Sequence, residues 1–128
     1  MTPRPRALLL LLPALVLSGC GGGEAAPSTA GAVTASGAPG AQTAAVVANA
    51  RLEFAPETVQ ARPGTLTLTM TIEGGVPHDL TFSDRSVGAA IPVTTSGSAS
   101  QAYTLPAAGS YGFVCTLHTG MIGQVVVG

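Results

Sequence analysis

The sequence contains no lysine, and acidic and basic residues together make up only 9% of it. Past residue 20, three arginines stand against six carboxylates, a balance of about −3. Such sparse charge excludes a nucleic-acid binder and a polybasic membrane contact. Cysteine is also scarce, with Cys20 and Cys115 alone. Histidine is limited to His78 and His118. The 3.6-residue apolar period of an amphipathic helix is missing throughout, which excludes a helical bundle.

The opening MTPRPRALLLLLPALVLSGC has two arginines and then a short, proline-broken apolar run. It is too short for a comfortable membrane span and reads as an export signal. Its end, LSGC, resembles the bacterial lipobox, on which reading Cys20 is acylated and residues 1–20 are a lipoprotein signal peptide. Cys115 is then the sole remaining cysteine, and no intramolecular disulfide is expected. From residue 21 to 45 nearly every residue is Gly, Ala, Ser, Thr or Pro. This composition buries too little to offset its conformational entropy, so it predicts a disordered tether with a reach of about 25 to 30 Å.

Residues 46–128 carry the folded domain. Leu66, Leu68, Met70 and Ile72 alternate with Thr65, Thr67, Thr69 and Thr71, the pattern of a strand with one buried face. Val46–Phe54, Thr58–Ala61, His78–Ser83, Ala99–Leu105 and Ile122–Val127 are further strands, punctuated by Pro and Gly turns. Asp84–Ser98 reads as a loop with room for one short strand. The predicted class is all-β, an antiparallel Greek-key β-sandwich.

The chemistry concentrates in YGFVCTLHTGMIGQVVVG, residues 111–128, where Cys115, His118 and Met121 each stand three positions apart. Tyr111, Phe113 and Cys115 share one strand parity, so a core-facing Phe113 brings Cys115 inward with it. A loop offering thiolate, imidazole and thioether suits copper better than magnesium or calcium, which take oxygen. A second imidazole can come only from His78, which shares parity with Leu80 and Phe82 at the start of its strand. Antiparallel strands bring a strand start and a strand end to one pole of a sandwich.

Phe54, Pro56, Thr58, Val59, Pro63-Gly64, Pro77-His78, Cys115, His118, Met121, Gly123 and Val125–Val127 together resemble the cupredoxins, the small blue copper proteins. The spacing of His118 and Met121 and the proline before His78 are nearest to amicyanin and pseudoazurin. The resemblance implies one copper ion, with His78, Cys115 and His118 as equatorial ligands and Met121 as the weak axial one. It also implies a monomeric electron carrier, not an enzyme. Its redox partners would dock transiently near His118, on an apolar patch of Val76, Pro77, Leu117 and Met121 that takes in Ile91 and Pro92. Two positions depart from the family pattern. Asp79 stands where asparagine is usual, its carboxylate needing donors such as the Thr116 hydroxyl, and Leu117 stands where proline is frequent.

With Cys20 lipidated, the expectation is an exported carrier anchored to the cell envelope and facing away from the cytoplasm. The alternative is an extracytoplasmic copper chaperone or storage lipoprotein that delivers copper to an oxidase. A multicopper enzyme would need histidine clusters that two histidines cannot supply.

Overall fold

The computed structural model describes residues 31–128. The expected signal peptide, Cys20 and residues 21–30 of the expected tether lie outside the described residues. Ten strands form two packed sheets: β1 (Ala32–Thr34), β2 (Gln42–Ala48), β3 (Phe54–Ala55), β4 (Thr58–Ala61), β5 (Gly64–Ile72), β6 (His78–Phe82), β7 (Ile91–Thr94), β8 (Ser98–Leu105), β9 (Gly109–Val114) and β10 (Ile122–Val127). One sheet has the order β1-β4-β10-β9-β6-β7 and the other β3-β2-β5-β8.

The β-sandwich is the architecture that the alternating pattern implies. Along β5, Leu66, Leu68, Met70 and Ile72 are buried while the intervening threonines are half-buried. From the opposite sheet, Val59, Phe113, Val125 and Val127 complete the core. Aromatic rings link its centre: Phe54 meets Phe113 at 5.0 Å, Phe113 meets Phe82 at 5.5 Å, and Phe82 meets Tyr103 at 4.5 Å between centroids. Gly123 pairs across from Phe113, and a Cβ there would meet the Phe113 ring at 2.4 Å, so only glycine admits the ring at that depth.

The sheets are mixed and not purely antiparallel. β1–β4, β4–β10 and β2–β5 run parallel, while β2–β3, β5–β8, β6–β7, β6–β9 and β9–β10 run antiparallel. The chain steps repeatedly from one sheet to the other, as from β4 to β5. Neighbours therefore come from distant parts of the sequence and are free to run the same way.

The folded body begins earlier than residue 46. β1 and the start of β2 fall within the expected tether, and Ala35 and Gln42 are buried. The Gln42 side chain is clamped to the Arg62 backbone, accepting from its amide and donating to its carbonyl, both at 2.8 Å. The Thr65 amide donates to the Pro39 carbonyl at 3.0 Å. Gly64 makes this possible, because its φ is +132° and a Cβ would lie 2.1 Å from the Pro39 oxygen. These small residues contribute little apolar surface. Their backbone groups are instead satisfied by existing strand edges.

Two other expectations are corrected. The strand expected over Val46–Phe54 is interrupted after Ala48, because Asn49 Oδ1 accepts from the amides of Arg51 at 2.9 Å and Glu53 at 3.3 Å, making a turn. Asp84–Ser98 is the expected loop with one short strand, β7; it also holds a 3₁₀ turn at Arg85–Val87, capped by the Asp84 carboxylate, and ends on the first residue of β8. Pairing of Leu80 with Ile91 buries Ile91 in the core, so it is no part of a surface patch.

Candidate metal centre

β6 and β9 are antiparallel neighbours, with Thr81 opposite Val114 and Phe82 opposite Phe113. His78 opens β6 and Cys115 follows the last residue of β9, so strand pairing alone brings them to one pole. Phe113 and Cys115 are both buried, as their shared parity requires. From Cys115 the chain turns tightly into β10. The His118 amide donates to the Cys115 carbonyl at 3.5 Å, the Met121 amide to the His118 carbonyl at 3.3 Å, and the Cys115 amide to the Met121 carbonyl at 3.0 Å. This closed loop carries three of the four expected ligands on a rigid base.

The Cys115 Sγ lies 3.8 Å from His78 Nδ1 and 3.4 Å from His118 Nδ1. One donor atom from each of the three side chains falls within 4.8 Å of the others. Donors about 2.0 to 2.3 Å from a shared ion and 120° apart stand about 3.7 Å from one another, so the spacing suits a trigonal metal. Met121 is buried at the end of the same loop. Nitrogen, thiol and thioether together form a soft donor set that fits copper.

Each ligand is oriented by a neighbour. His78 Nε2 lies 3.0 Å from the Asn49 carbonyl oxygen, which fixes that nitrogen as the N–H and leaves Nδ1 directed at the sulfur. Burial lowers the His78 pKa, against the upward effect of the Asn49 carbonyl; the nearby His118 ring lowers it further and Asp79 raises it slightly. His78 is therefore a neutral imidazole, the form a metal takes. Burial also pushes the Cys115 thiol up, with the Asp79 carboxylate adding to it, while the Asp79 and Leu117 amides pull it down. Metal binding must displace that proton.

Asp79 is buried beside the sulfur. Its Oδ1 accepts from the Thr116 amide at 2.6 Å, and its Oδ2 accepts from the hydroxyls of Thr116 at 2.9 Å and Thr81 at 3.0 Å. Burial raises the Asp79 pKa, but these donors and the Cys115 thiol together hold it below the usual carboxylate range. The carboxylate thereby fastens β6 to the ligand loop.

Two contributors were absent from the sequence reading. Asn49 acts through its backbone carbonyl, which no side-chain pattern announces. Thr81 was legible in principle, because it shares strand parity with Asp79. Of the expected docking residues, Leu117 and Pro77 are exposed and Val76 is half-buried, whereas Met121 is buried and unavailable to a partner. His118 is half-buried and His78 fully buried, so His118 is the imidazole with a solvent-facing edge.

A family model described as copper binding proteins, plastocyanin/azurin family, matches residues 41–128. Comparison with curated protein sequences finds no match. Among solved structures, auracyanin A, a blue copper protein of Chloroflexus aurantiacus, is similar at a TM-score of 0.59 and 19% identity, covering 70% of this chain and 100% of its own. A reduced mutant of amicyanin is similar at 0.55 and 26% identity, covering 72% and 86%. The metal-binding domain of the Cu(I)-exporting P-type ATPase of Streptococcus pneumoniae is similar at 0.64 and 19% identity, covering 76% and 95%. With the matched span taking in both sheets and all the converging side chains, the chain belongs to the plastocyanin/azurin family of copper-binding proteins.

Proposed function

We propose that this protein is a membrane-anchored type 1 copper protein that carries single electrons between redox partners outside the cytoplasm. The observation that carries the reading is the convergence of His78 Nδ1, Cys115 Sγ and His118 Nδ1 on one buried point. Copper, when bound, supplies a one-electron couple. The side chains of this protein supply the rest. His78, Cys115, His118 and Met121 hold the ion, the closed ligand loop and the Asn49 carbonyl keep the donors from moving, and burial excludes water. Electron transfer favours such stiffness, because any rearrangement between oxidation states adds to the barrier.

The His118 edge and the exposed Leu117 beside it favour electron exit at that pole, to a partner that docks briefly on apolar surface with Pro77 and Val76. Cys20, acylated at the lipobox, would anchor the chain to the cell envelope. The protein acts as a monomer and as a carrier, not an enzyme.

The test is the visible and EPR spectrum of the exported protein with one equivalent of Cu(II). Intense thiolate-to-copper colour, rapid reversible reduction and loss of colour in Cys115→Ser are expected. A colourless, Cu(I)-selective site that hands its metal to an acceptor would replace this reading with that of a copper chaperone or store.

A further inference from the structure

Asp79 introduces a buried formal charge that its donors do not neutralise. The Thr116 amide, the Thr116 hydroxyl and the Thr81 hydroxyl are all neutral groups. Asp79 is 6% exposed, next to Cys115, which is 3% exposed. Neutral donors spread the charge but cannot cancel it, and in a site screened from water its influence on a neighbouring ion is strong.

We propose that Asp79 sets the oxidation-state preference of the copper centre, biasing it toward Cu(II) and a low reduction potential. This deepens the copper-carrier reading and rests on it for the identity of the metal. The couple is Cu(II) plus one electron giving Cu(I), the electron passing to or from a redox partner with no proton required. Counting Cys115 as thiolate and Asp79 as carboxylate, the oxidised centre sums to zero formal charge and the reduced centre to minus one. With a neutral residue at position 79, the sums become plus one and zero. Burial disfavours whichever state carries net charge, so the carboxylate makes the oxidised state the neutral one.

The geometry also separates charge from mere positioning. Asp79→Asn removes the charge and leaves an oxygen to accept from the Thr116 amide. Thr81→Val removes one donor and keeps the charge, now less well compensated. A loosened ligand loop would move both variants the same way, whereas the charge account moves them apart.

The experiment measures Cu(II) and Cu(I) affinities of the full protein and its variants by competition with a chelator selective for each state, together with the midpoint potential. Asp79→Asn is expected to shift the affinity ratio toward Cu(I) by about tenfold or more, a rise of about 59 mV per tenfold for one electron. Thr81→Val is expected to leave the ratio unchanged or shift it toward Cu(II). Should Asp79→Asn fail to fold, Asp79→Ser offers a second neutral residue and carries the same expectation. An unchanged ratio in the neutral variant, or equal upward shifts in both variants, overturns the proposal. A wild-type site without colour counts against the carrier reading alone, because the affinity ratio is measured whether or not the site absorbs.

Discussion

The Asn49 carbonyl oxygen lies 3.0 Å from His78 Nε2, so a turn in one sheet fixes the tautomer of a ligand in the other. The same oxygen accepts from the Leu52 amide at 3.1 Å, and the Asn49 side chain holds the turn in shape. Leu52, at φ +63°, stands in the left-handed region that the turn demands of it. Asn49→Ala frees the amides of Arg51 and Glu53 and lets the carbonyl drift. Copper affinity should fall about tenfold, while stability falls by about 1 kcal/mol. Chelator competition and urea unfolding of the metal-free protein separate the two effects.

Gly123→Ala should overpack the core. The added carbon meets two Phe113 ring carbons at 2.4 Å, and the Glu57 carbonyl at 3.0 Å blocks retreat on the other side. A loss of about 1 to 3 kcal/mol is expected from overpacking. Because Phe113 stands two residues before Cys115, the copper spectrum should change as well. An unaltered urea midpoint would show that the ring can move aside freely.

Gln42→Leu removes the clamp on the Arg62 backbone, two hydrogen bonds at 2.8 Å, and leaves the Arg62 amide and carbonyl without their partner. The expected loss is about 2 kcal/mol. Equilibrium unfolding measures it, and a near-zero change would mean that water replaces the clamp at no cost.

Tyr103 is buried, and its hydroxyl has no hydrogen-bond partner among the described residues. Burial pushes its pKa up from 10.0 to about 12, against a smaller downward effect of the Ile91 backbone. A raised folded-state value means stability that is complete below pH 10 and lost as pH rises toward 12. Tyr103→Phe should therefore be neutral or stabilising near neutral pH and should flatten the alkaline limb of the stability curve over that window. Thermal unfolding between pH 8 and about 12 tests both expectations.

The parity of Leu66, Leu68, Met70 and Ile72, and that of Phe113 with Cys115, was legible because period-two burial is written in side chains. His78 at a strand start was legible for the same reason. The early strands were not, since Ala, Gly and Thr in residues 31–45 pair through backbone groups that every residue shares. Nor could Ile91 be distinguished from surface, because a four-residue strand with a proline in it resembles a loop until its pairing with β6 is known. The Asn49 carbonyl belongs to the same blind spot: a main-chain oxygen has no letter of its own.

That β1 is part of the folded body has a consequence for where this protein can work. With lipid on Cys20, as proposed, only residues 21 to 31 separate the acylated end from Ala32, the first residue of β1. A chain of that length, even drawn straight, spans at most about 40 Å. The copper pole would then patrol a shallow layer above the bilayer, and partners recessed within taller complexes would have to come down to meet it.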